Sequence, residues 1–507
     1  MKRSIKYYWL IFFQLVISIS HAQYQTHQNK NGTNYFTNPI FAGDYADPSI
    51  LRDGDTYYQV HSSFQYYPGL LIWQSKDLMN WMPVTNALYK NVGDVWAPDL
   101  VKYNNRYFIY FPASNKNYVI YADDIKGPWS DPVELNISGI DPGHFTDDKG
   151  KRYLYVADGS YIPLTDDGLS VAGEMKQAYS GWKIPREWSI ECFCMESPKI
   201  IKRGGYYYLT VAEGGTAGPA TSHMVISARS KSPFGPWENS PYNPIDRTKT
   251  VNERWCSKGH ATLFDDTKGK WWILFHAYEK EYYNMGRQTL LQPVEWTSDG
   301  WFKIPEGVKT DQPILAPYPQ NKKPAFNLSD DFSGQSLNLQ WKFFGEYDTT
   351  RFHLSNKTLT IKAKGKTVGE SAPLLCIPSH HSYTATVEME MQGNAVGGLT
   401  LFYNKEYAVG LYADTANLIN NLHGWQFVSQ RNAFPNRKVF LRMKKTGNIV
   451  DMFYSSNGLL WTKAETSFEV SGMHHNVLGG FLALRLGLCA IGDGAVKFRN
   501  FKYQPYN

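Results

Sequence analysis

Between Asp47 and Glu279 the chain repeats one short figure: an apolar strand, a polar turn of Gly, Asp, Asn or Lys, then a strand led by aromatic residues. The copies read DPSILRDGDTYYQVHSS, APDLVKYNNRYFIYFPAS, DPGHFTDDKGKRYLYVADG, ESPKIIKRGGYYYLTVAEGG and GHATLFDDTKGKWWILFHAYE. A second figure, in SKDLMNWMP, ADDIKGPWSDP and ARSKSPFGPWENSP, sets a Trp near the end of a later strand. The spacing drifts around ~50 residues, within the range of propeller blades. Each unit supplies a four-stranded sheet that cannot bury both of its faces alone, and ringed neighbours bury them for it. The repeat therefore predicts a five-bladed β-propeller, against the alternative of a sandwich made from the same hairpins.

A chain of 507 residues is too long for one ordinary core. PILAPYPQNKKPAF, Pro313 to Phe326, is rich in proline and lysine and reads as a linker. Beyond it, DDFSGQSLNLQWKFF begins a different pattern of alternating strands, and FYSSNGLLWTKAE reads as a hairpin turning on Asn457-Gly458. No long helical period is present, so the fold class is all-β. The start, MKRSIKYYWLIFFQLVISISHAQ, has a basic head, an apolar middle and small residues before Gln23. It reads as a secretory signal cut after Ala22, with a periplasmic or extracellular destination, since its apolar stretch is short for a membrane span. The expected organisation is a signal at 1–22, a propeller at 23–312, a linker at 313–329 and a β-sandwich at 330–507.

Aromatics make up 15% of the chain and charged residues 19%, a balance that suits strands and flat sugar-binding surfaces over a charged helical bundle. The net charge of +6 owes part to the leader and includes no basic run, so nucleic acid is not an expected partner. The 5 cysteines make no disulfide framework. Cys192 and Cys194 lack zinc-site spacing and read as small buried side chains.

The opening residue of each repeat carries the chemistry. Those positions hold Asp47, Ala97 (with Trp96 before it and Asp99 after), Asp141, Glu196 and His260. In a propeller the innermost strands run side by side around a channel, so their starts converge on one mouth. Carboxylates crowded there disfavour one another's ionisation, and no Arg or Lys recurs at matching positions to compensate. Three acids around a wide mouth do not resemble a compact metal ligand set. Glycoside hydrolysis accounts for them better: one carboxylic acid protonates the departing oxygen, a carboxylate on the other face activates water, and a third acid keeps the donor's pKa high. Glu213 and Thr216, on the turn after the second strand of the fourth repeat, are expected to line the mouth.

YADPSI, WAPDL, GIDPGHF, MESPKI, AEGGT, GHATLF and GRQTLLQPVEW resemble the signature segments of family 43 glycoside hydrolases. SSFQYYPGLLIWQSKDLMNW resembles the β-xylosidase and α-L-arabinofuranosidase members in particular. The resemblance runs from about Asn38 to Trp296, and the trailing domain resembles the concanavalin-like jelly-roll sandwich that often follows. It implies an inverting mechanism with Asp47 as general base, Glu196 as general acid and Asp141 tuning the acid's pKa and orientation. It further implies Arg287 as a hydrogen-bond donor to sugar hydroxyls and His260 near a calcium ion or water cluster in the channel, while Trp96 and Phe64 are candidate platforms for the sugar's apolar face, with packing at a strand start as the alternative. Such an ion is expected to be structural and reached through water, with no cofactor required. Ala46 stands where the family often has proline, and Ser197 where glycine usually follows the acid.

The expected activity is exo-acting release of terminal pentose, β-D-xylose, from xylan-derived oligosaccharides, with α-L-arabinofuranosidase action as the alternative. A non-catalytic carbohydrate-binding propeller is the competing class. It predicts the loss of at least one acid, and all three are present. The sandwich is expected to brace the propeller.

Overall fold

The computed structural model describes residues 26–28, 34–319, 326–422, 425–431 and 437–506. The expected signal at 1–22 lies outside them. Five four-stranded antiparallel sheets follow one another, each opened by one of the repeats. Blade one runs Ser49–Asp53, Thr56–Val60, Gly69–Ser75 and Met82–Leu88; blade two runs Asp99–Tyr103, Arg106–Ala113, Lys116–Ala122 and Val133–Glu134. Blade three comprises Gly143–Thr146, Arg152–Tyr155, Ser160–Pro163 and Lys176–Gln177. Blade four comprises Met195–Arg203, Tyr206–Glu213, Met224–Ser230 and Glu238–Asn239, with Asp246–Arg247 added beside its third strand. Blade five comprises Trp255–Asp265, Trp271–Glu279, Arg287–Trp296 and Phe302–Lys303.

The second strand of each of blades two, four and five is almost wholly buried, as aromatics in the repeats require. Apolar clusters sit between neighbouring blades. Tyr208 and Val225 of blade four, for example, pack on Trp255, Ile273 and Phe275 of blade five. Blade one is tied to blade five by the segment before it. Asn38 exchanges hydrogen bonds with Leu291, Ile40 donates to Thr289 O, and Tyr45 N–H donates to Arg287 O at 3.0 Å. This strap delivers Asp47 to the side of Arg287.

Within the stretch read as linker, Ile314–Leu315 pairs with Asn34–Phe36. The sandwich then stacks two antiparallel sheets. Tyr383–Gly393 shows the expected period of two, alternating buried and half-buried residues along its length. The hairpin expected at Asn457-Gly458 joins Ile449–Ser455 to Thr462–Glu469, with Asn457 Oδ1 accepting from the backbone of Leu459 and Leu460. The other sheet is completed by the propeller: Tyr66–Tyr67, from the blade-one loop, pairs with Lys342–Phe344 as its edge strand. Arg485 of the sandwich reaches Asp44 of the strap at 3.1 Å, with both side chains buried. The second domain is thus built into the wall behind the channel mouth.

Candidate active site

Asp47, Asp141, Ser197 and His260 share one backbone conformation, with φ of 56°, 55°, 56° and 57°. L-residues seldom adopt this left-handed region, and Asp and Asn do so most readily. The recurrence at the head of four inner strands is a common kink at the channel mouth. Asp47 and Asp141 suit it by residue type, while in blade four the kink falls on Ser197, one residue after Glu196.

Asp47 is buried and held from every side. Arg287 Nη1 donates to its Oδ1 at 2.8 Å, and Ser62 Oγ donates to its Oδ2 at 2.5 Å. His260 Nδ1 lies 3.4 Å from Oδ1. His276 Nδ1 accepts the Asp47 backbone N–H at 3.1 Å, which leaves the ring proton on Nε2, 3.2 Å from Thr216 Oγ1. Burial alone would raise the Asp47 pKa, but the Arg287 charge, with His260 and His276, outweighs it and holds the carboxyl well below the usual range. Burial pushes both histidines down, so they stay neutral. Arg287 is the cation that keeps Asp47 ionised.

The other two acids are displaced the opposite way. Burial and then the charge of Asp47 raise Asp141 to about 7, although Ser197 N–H donates to its Oδ2 at 3.0 Å and Lys199 opposes the shift. Burial, then Asp141, then Asp47 raise Glu196 to about 8. His260 Nδ1 lies 3.4 Å from Asp47 Oδ1 and 3.8 Å from Asp141 Oδ2, and Ser197, next to Glu196, donates its N–H to Asp141, so the propeller does bring the three acids together. Of the three, Glu196 is the one that is only partly buried. The cluster therefore pairs one carboxyl held ionised with others held protonated, separated by environment.

No Lys or Arg recurs at matching positions of the repeats, and the cations reach the acids from other positions. Arg287 pairs with Asp47, and Lys199 Nζ sits under the third blade, donating to Asp99 Oδ1 at 2.7 Å and to Pro142 O at 3.3 Å. Arg287 comes from the third strand of blade five, outside the aligned strand starts, while Lys199 lies three residues along the strand of Glu196 with no counterpart at that place in the other copies. Phe64 is corrected: it is 0% exposed, its ring backing Arg287 at 5.7 Å, and offers a sugar no surface. Trp96 keeps partial exposure and meets Phe481 edge-on at 5.9 Å. Glu213 and Thr216 are buried and act through neighbours: Thr216 on His276, and Glu213 by accepting Trp182 N–H at 2.6 Å. Burial raises the Glu213 carboxyl to about 7. Cys192 and Cys194, read as small buried side chains, are instead half-exposed and bonded to each other. Their separation of two residues lets the loop before Glu196 close on itself.

Sequence reasoning missed three participants. His276 occupies the fifth repeat where His61 occupies the first, so the repeat alignment did carry a signal for it. Ser62 follows His61 in the same strand end and carried a weaker one. Phe481, from the sandwich, had none. It reaches the mouth only because the second domain docks there, with its ring 5.4 Å from the Arg287 guanidinium and stacked on His475.

Asp47, His260 and His276 place one ligand atom each within 4.8 Å of one another. Two imidazoles and a carboxylate already engaged by Arg287 do not suit calcium, which takes six to eight oxygens. The residues present do not form a calcium cage, and no step below runs through a metal.

Residues 36–302 match the family described as glycosyl hydrolases family 43, and residues 329–504 match the β-xylosidase C-terminal concanavalin A-like domain. A non-reducing end α-L-arabinofuranosidase of Bacteroides ovatus is 29% identical over 90% of this chain and 92% of its own. A xylan 1,3-β-xylosidase of Vibrio sp. is 26% identical over 85% of this chain and 90% of its own. Among solved structures, the xylan β-1,4-xylosidase of Bacillus halodurans superposes with a TM-score of 0.82 at 25% identity, covering 92% of this chain and 99% of that one.

Proposed function

Because this chain belongs to glycosyl hydrolase family 43, we propose that it releases single pentose units from the non-reducing ends of hemicellulose-derived oligosaccharides by an inverting displacement. Asp47, ionised beside Arg287, takes a proton from a water, whose oxygen attacks the anomeric carbon. The glycosidic C–O bond breaks, and the departing oxygen receives the proton of Glu196. Asp141 keeps that proton in place by making a second negative charge unfavourable beside it. Proton exchange with solvent then restores both groups. Arg287 has donors beyond the one given to Asp47 and faces the same cavity, which suits it to a sugar hydroxyl.

The observation that carries this reading is the gathering of three acids at one mouth, Asp47 on Arg287 at 2.8 Å and Asp141 between His260 and the Ser197 N–H that follows Glu196, with burial and charge displacing Asp47 down and Glu196 up. β-D-xylose is the favoured sugar, supported by relatives and structural neighbours named as xylosidases. The arabinofuranosidase reading is kept because a relative covering nearly the whole chain carries that name. The leader supports export to the periplasm or beyond.

The test is proton NMR of the first sugar released from xylobiose and from aryl β-xyloside and α-arabinofuranoside. An α-configured xylose product from the β-linked substrate supports the mechanism. A retained anomer, or inactivity on all substrates, rejects it.

A further inference from the structure

Two strongly exposed apolar side chains, Phe193 at 75% and Val477 at 62%, stand on segments that bond to one turn, Gly214 to Gly218. The N–H groups of Glu191 and Cys192 donate to Gly214 O at 3.0 and 3.3 Å, and Gly214 N–H donates to Cys194 O at 3.2 Å. The Glu191 carboxylate accepts Ala217 N–H at 2.6 Å. The Cys192–Cys194 disulfide closes the loop around Phe193. From the sandwich, Asn476 Nδ2 donates to Gly218 O at 3.2 Å, placing Val477 beside the same turn. This turn is at the mouth, because its Thr216 reaches His276, which holds Asp47.

Phe193 also has a defined place relative to the proton donor. In the blade-four ladder Met195 lies opposite Glu213, and Glu196 opposite Ala212. Residue 193 lies two positions before the first residue of that inner strand, on the loop that wraps the Gly214–Gly218 turn at the mouth. The acid must touch the glycosidic oxygen, so the sugar that leaves extends outward past it. The charge of Glu191 is felt at Glu196, consistent with this closeness. A large aromatic left in water, on a loop anchored at both ends, gains nothing for the fold. It loses little further freedom when a flat apolar surface covers it.

We propose that Phe193, with Val477 from the sandwich, forms the subsite for the leaving sugar, binding the apolar face of a neutral pentose ring. The proposal rests on the glycosidase reading above. It assigns to the second domain a role in choosing the substrate's leaving side, beyond support.

The test compares a substrate that has a leaving sugar with one that has none. On β-1,4-xylobiose, Phe193→Ala lowers kcat/KM about tenfold and Phe193→Trp keeps it, while β-D-xylosyl fluoride, whose leaving group has no ring, is hydrolysed equally by all three proteins. Val477→Ala shows the same selectivity to a smaller extent. A purely structural role would depress both substrates together, and that result, or no loss on xylobiose, overturns the proposal. If the unmodified protein hydrolyses neither compound, the pentose reading fails on its own account. The subsite is then judged by titrating xylotriose into the unmodified and Phe193→Ala proteins, with tighter binding by the former supporting it and equal affinity overturning it.

Discussion

Arg287 Nη1 lies 2.8 Å from Asp47 Oδ1, and 240 residues of chain separate the two. Closing the propeller ring joins them, because the strap at 38–45 lies along the third strand of blade five and hydrogen-bonds to it through Ile40 and Tyr45. One ion pair thereby fixes the ring closure and the protonation state of the base.

Removing that cation exposes both functions. In Arg287→Ala, Asp47 is left buried without its charge partner, so its pKa rises and the acid limb of the kcat/KM profile moves to higher pH. Activity is expected to fall at least ~100-fold, and stability by about 3 kcal/mol. A pH–rate series with urea unfolding checks both, and an unmoved acid limb contradicts the role given to Arg287.

Activity is expected to decline on the alkaline side near pH 8, where Glu196 loses its proton. Asp141→Asn removes a neighbouring negative charge, so the donor becomes easier to ionise and the alkaline limb shifts to lower pH. A limb that stays in place in Asp141→Asn would show that Asp141 does not tune Glu196.

The same shift costs stability. Glu196 titrates near 4.5 when unfolded and at about 8 when folded. Between those values the folded protein keeps a proton that the unfolded chain has lost, so stability falls as pH rises through the window. Glu196→Gln abolishes activity yet is expected to stabilise the fold by about 2 kcal/mol at pH 8, with little effect at pH 4. Calorimetry at the two pH values decides it; equal melting shifts at both would refute the linkage.

Ser197 holds a left-handed φ of 56°, and its buried hydroxyl has no hydrogen-bond partner among the described residues. Glycine adopts that conformation freely and carries no hydroxyl. Ser197→Gly is expected to raise stability by about 1 kcal/mol while leaving the Asp141 contact, which uses the backbone N–H, intact. A lower melting temperature would argue that the hydroxyl is needed.

Across the domain boundary, Arg485→Leu leaves Asp44 buried and unpaired and is expected to cost about 3–5 kcal/mol. Adding Asp44→Asn should recover much of the loss, because the stranded charge is gone. A double-mutant cycle measures the coupling, and additive losses would mean that the pair does not act as a unit.

The acids were legible because the propeller repeats its strand openings. Aligning the copies put Asp47, Asp141 and Glu196 at corresponding strand openings, Glu196 one residue ahead of the shared kink, and ring geometry required those openings to converge. The partners were not legible by that route. Arg287 opens the third strand of blade five, His276 lies within its second strand, Lys199 follows Glu196 on one strand but without a counterpart in the other copies, and Phe481 belongs to the other domain. Ser197, a departure from the family pattern in sequence, became intelligible only as a strained backbone position.

The sequence by itself determined the blades, the order of the domains and the carboxylates, since strand periodicity and repetition are local properties. Which acid is ionised and which is protonated the sequence carried only through its resemblance to a family, and tertiary structure supplied the physical cause. That outcome depends on burial and on charges brought from distant strands, and electrostatic energy follows distance in space, whatever the separation along the chain.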